Sequence, residues 1–303
     1  MKGVERISEL LVETGAYKDL DSPVILTSGE LGIYYVNTEK LLQDGGQWVE
    51  HGDNSQKMIS YVKGLLSNKS SFKEVIDIMS DDTELKLSDK STRYKKVSIS
   101  GGQRRDWLFS GPVAYTLGLD HISLYKQTDD LVKFEVLDPE GELIDKCNIA
   151  GWFAFHIVDL VTEGSSIYSL NSMEPKGWVP MLRGEGVVID SLLSVVTRRQ
   201  GGEERLMEQG VYVNSFVSID KDFLRKYSKD PDRALAYSKN PSEWSKNYIE
   251  KNGAMMFIDI FDPDGGKLER GLKFFSRYKK VLADAGKLND LEMAIRKKFD
   301  LEL

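Results

Sequence analysis

The sequence predicts an α/β protein: a mainly parallel sheet flanked by helices, with a small N-terminal segment before it and a helical extension after it. Three observations carry this. Strands alternate with helices from Lys96 to Ile219, several of those strands run into glycine-bearing loops, and after Asp220 the pattern turns mostly helical. Such alternation places parallel strands in one sheet with helices on both faces. The expected division is residues 1–50 as the N-terminal segment, 51–225 as the α/β core and 226–303 as the C-terminal extension.

Each element has its own signal. Val4, Ile7, Leu10 and Leu11 share one helical face, so residues 4–14 read as an amphipathic helix. Val24 to Leu26 and Ile33 to Val36 are short strands around Thr27-Ser28-Gly29-Glu30. Gly52 to Leu66 and Ser71 to Met79 read as helices, and Ser80 to Ser91 as a charged surface connection. Lys96 to Ser100 is a strand, Trp107 to Leu117 a helix and His121 to Tyr125 the next strand. Leu131 to Leu137 alternates and closes at Asp138-Pro139-Glu140-Gly141, the signature of a turn in a β-hairpin. Phe153 to Val158, Gly186 to Val196 and Val211 to Ile219 are the remaining strands, and Pro231 and Pro241 mark helix starts.

Composition narrows the function classes. The chain has 303 residues, 41% hydrophobic and 29% charged, with a mean hydropathy of −0.36. No apolar run approaches the roughly 20 residues of a membrane span. The opening MKGVERISELLVETG lacks the basic and apolar regions of a signal peptide, so a cytoplasmic setting is expected. A net charge of −7 argues against general nucleic-acid binding. One cysteine, Cys147, excludes an intramolecular disulfide, and the three histidines (His51, His121, His156) lack metal-ligand spacing. His156 lies inside an apolar strand and reads as a packed core residue. Asp259 to Gly266 resembles a calcium loop but places Gly271 where a bidentate Glu is required.

The chemistry concentrates in loops. In Phe153 to Ile167, an apolar strand ends at Asp159, and Thr162-Glu163-Gly164-Ser165-Ser166 follows. The expected form is a tight turn opening a helix, whose backbone N–H groups and hydroxyls would hold a phosphate. In VSISGGQRRD, Val97 to Asp106, Gly101 and Gly102 precede Arg104 and Arg105, whose guanidinium forks match pyrophosphate oxygens. Asp106 could orient one of these arginines. A third loop, Thr197 to Glu204, carries Arg198, Arg199 and Gly201-Gly202 and could supply a base contact, a phosphate contact or only packing. In LTSGELGIYYVN, Leu26 to Asn37, the pair Tyr34-Tyr35 could stack on a flat heteroaromatic ring or pack a small subdomain.

Together these residues resemble the type I phosphoribosyltransferases. Ile157 to Ser166 is similar to their phosphoribosyl-pyrophosphate signature, and the order of segments is most similar to orotate phosphoribosyltransferases over roughly residues 5–225. LVETGAYK and VILTSGELGIYYVN resemble the N-terminal hood of that family. ISGGQRRDW stands in the place of its pyrophosphate loop, and SVVTRRQGGEERLMEQGV resembles its later strand and R-x-Q-G-G segment.

The resemblance implies transfer of ribose 5-phosphate from phosphoribosyl pyrophosphate to orotate or a related base, with Mg2+, in pyrimidine nucleotide biosynthesis by a homodimer. It assigns Thr162, Glu163, Gly164, Ser165 and Ser166 to the 5-phosphate. Asp159 goes to the ribose hydroxyls and, indirectly, to the metal. Gly101, Gly102, Arg104 and Arg105 go to pyrophosphate, and Tyr35 and Val36 to the floor of the base. Arg199 is a further candidate contact, and Lys126 a candidate catalytic cation.

The chain departs from the family at three places. Val158 replaces the first of two adjacent acids, Thr27 stands in place of a lysine, and Lys126 to Glu142 lacks the His-Gly pair of the catalytic loop. A non-catalytic phosphoribosyl-pyrophosphate or nucleotide-binding regulatory protein on the same fold is the competing reading.

Overall fold

The computed structural model describes residues 2–26, 28–67, 70–126, 133–145, 147–170 and 174–303. Thr27 and the 127–132 part of the expected hairpin lie outside the described residues.

Helix α1 (Lys2–Glu13) buries Ile7, Leu10 and Leu11, while Val4 stays largely exposed. Strands β1 (Tyr17–Ile25) and β2 (Leu31–Val36) form an antiparallel two-stranded sheet. Helix α2 (Ser55–Leu65) is capped by Asn54, whose side chain accepts from the Lys57 N–H. Helix α3 (Ser71–Leu87) is capped in the same way by Ser70 and runs well past Met79, through most of the expected surface connection. Its inner face continues Val75, Ile76 and Met79 into Ser80, Thr83 and Leu87, all buried. Small hydroxyl residues thus occupy core positions that an apolar-periodicity reading passes over.

The main sheet follows. Its strands are β3 (Val97–Gly102), β4 (Asp120–Leu124), β5 (Phe134–Leu137), β6 (Phe153–Val161), β7 (Ser191–Thr197) and β8 (Tyr212–Ser218). Between them lie α4 (Trp107–Leu117), α5 (Trp178–Gly184) and α6 (Gly202–Glu208). The spatial order is β5-β4-β3-β6-β7-β8, parallel throughout except where β5 runs antiparallel to β4. The expected turn is present: the Gly141 N–H donates to Asp138 O at 2.9 Å. The strand expected from Gly186 is regular only from Ser191, although Val188 bridges Phe153.

The C-terminal helices are α7 (Lys221–Tyr227), α8 (Pro231–Lys239), α9 (Pro241–Asn252), α10 (Leu268–Asp284) and α11 (Leu288–Phe299). Asp230 and Asn240 cap α8 and α9, and each proline sits at a helix start, where its missing N–H costs nothing.

The chain divides into two compact units: Met1–Ala16 with Asn37–Asp220, and Tyr17–Val36 with Lys221–Leu303. The first carries the main sheet. One of its apolar clusters joins Ile122, Ala154, Val158, Leu192 and Trp178. In the second unit, Ile25 and Leu31 of the small sheet pack with Phe261, Phe274, Tyr278 and Ile295. Each such large side chain, fully buried, contributes about 1.5–3 kcal/mol. No helix among the described residues is long and apolar enough to cross a membrane.

Candidate functional site

The strand order reverses direction at β3. Its parallel neighbours are β4 on one side and β6 on the other, so the switch point, with the crevice expected of such a sheet, lies beyond the carboxyl ends of β3 and β6. In open α/β sheets such a switch point is where ligands sit. The arginine segment follows β3 and the Thr162–Ser166 segment follows β6, so the fold brings both to this crevice.

Gly101 and Gly102 are the last residues of β3, buried and paired with Ser123 and Leu124 of β4. They are therefore part of the sheet, where a flexible loop was expected. A Cβ on Gly101 would lie 2.1 Å from Ser110 Oγ, and one on Gly102 would lie 2.2 Å from Cε2 of Trp178. Close packing requires these glycines. The Gly102 N–H donates to Asp106 Oδ2 at 3.2 Å, and the Gln103 N–H donates to Leu124 O at 2.8 Å. The cationic groups at this strand end are the Arg104 and Arg105 guanidinium heads that follow. The Gln103–Arg104 peptide is cis.

Arg104 is half exposed, with its nearest acid, Asp53, at 4.0 Å. Arg105 lies 3.6 Å from Asp159 Oδ2 and 3.8 Å from Glu39 Oε1. Asp106 does not orient either arginine by an ion pair as the sequence suggested, nor does it cap α4. Its carboxylate accepts from the Gly102 N–H and, through Oδ1, from the Asp159 N–H at 3.0 Å. Burial, then the neighbouring Asp159 charge, hold this carboxyl well above the usual carboxylate range.

Asp159 is only 6% exposed, and its Oδ2 accepts from Thr38 Oγ1 at 2.9 Å. Val158, on the opposite face of β6, belongs to the apolar cluster around Trp178. Alternation along the strand thus aims one of the two positions at the site and the other at the core.

The segment after β6 is a turn and does not open a helix. The Ile167 and Tyr168 N–H groups both fold back onto Gly164 O, and Ser169 bridges Lys176 before α5 begins at Trp178. A helix dipole is absent here; exposed Glu163, Ser165 and Ser166 and half-buried Thr162 surround a buried Gly164 with φ +72°. The third loop packs directly on this turn: the Gly202 N–H donates to Thr162 O at 3.1 Å. A Cβ on Gly202 would lie 2.4 Å from that same oxygen. Arg199 pairs with Glu203 at 3.1 Å, beside the turn.

Lys126 is exposed, and its backbone N–H donates to Gln103 Oε1 at 3.1 Å, so it starts from the edge of the arginine loop. Tyr35 and Val36 belong to the second unit, where Tyr35 is 43% exposed and Val36 is buried. Tyr34 packs against Tyr17 and Tyr237 within that unit. Thr38, Gln103 and Trp178 lie against residues of the candidate site, and the sequence reading missed them. Only their tertiary partners single them out.

Two buried histidines lie in the sheet nearby. His121 meets Ser123 and Ser110 at 2.8 Å each, and His156 meets Ser100 at 2.9 Å. Burial pushes both imidazoles down to about 3, with the His156 charge a secondary cause for His121. Their folded-state values lie below the usual 6.5, so the unfolded chain binds more protons between about 3 and 6.5. Their contribution to stability is then complete above that window and is lost as pH falls through it. Asp106, raised in the fold, acts in the opposite direction, so the test compares variants. The stability of His156→Asn relative to the wild type should improve between about pH 7.5 and about pH 4.5 in urea unfolding. A difference independent of pH would contradict a neutral buried imidazole.

No protein-family model matches the chain, and no curated protein matches it at a significant level. Solved structures align with much of the chain. Leishmania donovani UMP synthase is 14% identical with a TM-score of 0.48, covering 78% of this chain, and the chain spans only 42% of that protein's length. The orotate phosphoribosyltransferase of Aeropyrum pernix is 19% identical with a TM-score of 0.45, covering 73% of this chain and 97% of its own. That of Mycobacterium tuberculosis, in complex with phosphoribosyl pyrophosphate, is 14% identical with a TM-score of 0.43, covering 71% and 96%. The structural neighbours are type I phosphoribosyltransferases, mostly orotate phosphoribosyltransferases, at low identity.

Proposed function

We propose that the crevice beyond β3 and β6 binds phosphoribosyl pyrophosphate, and that the chain transfers ribose 5-phosphate from it to orotate or a related base, releasing pyrophosphate. The observation that carries this reading is the meeting of a two-arginine loop and a hydroxyl-rich turn at the sheet's switch point, joined through Asp106. Thr162, Ser165 and Ser166 offer hydroxyls to the 5-phosphate, Arg104 and Arg105 face the pyrophosphate, and Lys126 stands beside them.

In this reaction the bond from ribose C1 to the pyrophosphate oxygen breaks, its electron pair leaving with pyrophosphate, and a ring nitrogen of the base forms the new bond as its own proton is lost to solvent or to the leaving pyrophosphate. Positive charge grows on the ribose and negative charge on the leaving group. The protein's share is then orientation and fixed charge, with no nucleophilic side chain required. Magnesium would neutralise charge on the phosphates. Among the described residues no group of three or more His, Cys, Asp or Glu could hold a metal, which fits an ion carried mainly by substrate phosphates, with Asp159 as an indirect partner. The same reading carries a cytoplasmic homodimer.

A second reading has its own support. Val158 sits in the core where the family has an acid, and Asp159 is nearly covered by Thr38 and Arg105. Both features suit a protein that binds phosphoribosyl pyrophosphate without turning it over. Ultraviolet absorbance of orotate with phosphoribosyl pyrophosphate and magnesium separates the two. Consumption of orotate supports the transferase. Saturable binding without turnover of any common base supports the binding protein and sinks the transferase.

A further inference from the structure

The geometry points to Asp106 as a positioning residue that couples the two halves of the crevice, fixing the arginine loop and the ribose-phosphate turn in one spatial relation. This inference rests on the proposed binding of phosphoribosyl pyrophosphate. Its basis is the bridging carboxylate. One oxygen accepts from Gly102, the last residue before Gln103 and the arginines, and the other accepts from Asp159, three residues before Thr162. Both N–H groups belong to adjacent parallel strands at their carboxyl ends.

The Asp106 carboxyl is half-buried, and a polar group drawn partly out of water is costly unless its oxygens are paired, as both are here. Asp159 is itself tied to Arg105 and Thr38, so a shift of the Asp159 backbone would move the acid and loosen an arginine together. A ligand with an anion at each end gains from such coupling, because its second contact is made at a high effective concentration set by the fixed spacing. A ligand with one anion gains nothing from it.

The test uses Asp106→Asn, which is nearly isosteric and keeps one acceptor but must turn an amide N–H toward the other backbone donor. Calorimetric titration compares phosphoribosyl pyrophosphate, ribose 5-phosphate and pyrophosphate, each with magnesium. The variant should lose about tenfold or more in affinity for the two-ended compound and no more than about threefold for each single-ended one. An equal loss for all three marks a merely structural residue and overturns the coupling. Failure of the wild type to bind any of the three overturns instead the reading on which the inference rests.

Hydrogen exchange supplies a measurement that needs no ligand: the Gly102 and Asp159 amides should exchange about tenfold or more faster in the variant. Unchanged exchange at both overturns the bridge. Should the variant fail to fold, the wild type still decides the matter. Pyrophosphate with magnesium should slow exchange at Asp159 as well as at Gly102, and an effect confined to Gly102 overturns the coupling.

Discussion

Replacing Arg104 and Arg105 together by alanine is expected to weaken pyrophosphate binding by about a hundredfold or more, since each charge-assisted contact contributes about 1.5–3 kcal/mol. Both side chains are close to half exposed and neither fills the core, so the fall in melting temperature should be confined to the loss of the Arg105–Asp159 contact. The single substitutions should differ. Arg104→Ala removes a cation whose nearest acid is 4.0 Å away, and its effect should fall on the anion alone. Arg105→Ala also releases Asp159 and Glu39, so it should weaken ribose 5-phosphate binding as well. Titration calorimetry at fixed ionic strength reads both. An unchanged pyrophosphate affinity in the double variant would remove the loop assignment.

Gly202→Ala is expected to damage stability and phosphate binding together. The added methyl would sit 2.4 Å from Thr162 O and 2.9 Å from both Glu163 C and Gly164 N. All three are backbone atoms, so no side chain can swing aside, and the Thr162–Gly164 turn itself must move. Overpacking of this kind costs about 1–3 kcal/mol. The displaced atoms are those assigned to the 5-phosphate, so ribose 5-phosphate affinity should fall by about tenfold or more, as for a lost charge-assisted hydrogen bond. Gly64→Ala in α2 is the control: nothing lies within 4 Å of its Cβ, and alanine there should stabilise by about 0.5–1 kcal/mol. Thermal unfolding and calorimetry on the pair give the comparison. A Gly202→Ala protein as stable and as tight-binding as the wild type would contradict the packing of the third loop on the turn.

Much of the architecture was legible because each signal was local. Alternation of strands and helices from Lys96 to Ile219, the Asp138–Gly141 turn and the prolines of α8 and α9 all depend on neighbours in sequence. Where the reading failed, a tertiary partner had intervened. α3 extends beyond Met79 because Ser80 and Thr83 are buried, which no apolar period announces. The T-x-G-x-S segment makes a single helix-like turn, with Ile167 and Tyr168 donating to Gly164 O, and goes no further because the chain then forms the Ser169–Lys176 bridge.

The site divides along the same line. Arg104, Arg105 and the Thr162–Ser166 segment were readable from residue type and spacing after a strand. The reason for the glycines was not, since Gly101 and Gly102 are required by Ser110 and Trp178. Asp106 looked like an ion-pair partner for its neighbours in sequence, and it turned instead to two backbone N–H groups, one of them 53 residues away. Thr38 meets Asp159 across 121 residues, a contact invisible before folding.

A structure of the protein crystallised with phosphoribosyl pyrophosphate and magnesium tests the central claim most directly. The account predicts one phosphate against Thr162–Ser166 and the pyrophosphate against Arg104 and Arg105, with the ribose between them near Asp159. A ligand bound at saturating concentration that leaves both loops empty, or that seats both anions away from the β3–β6 crevice, would contradict it.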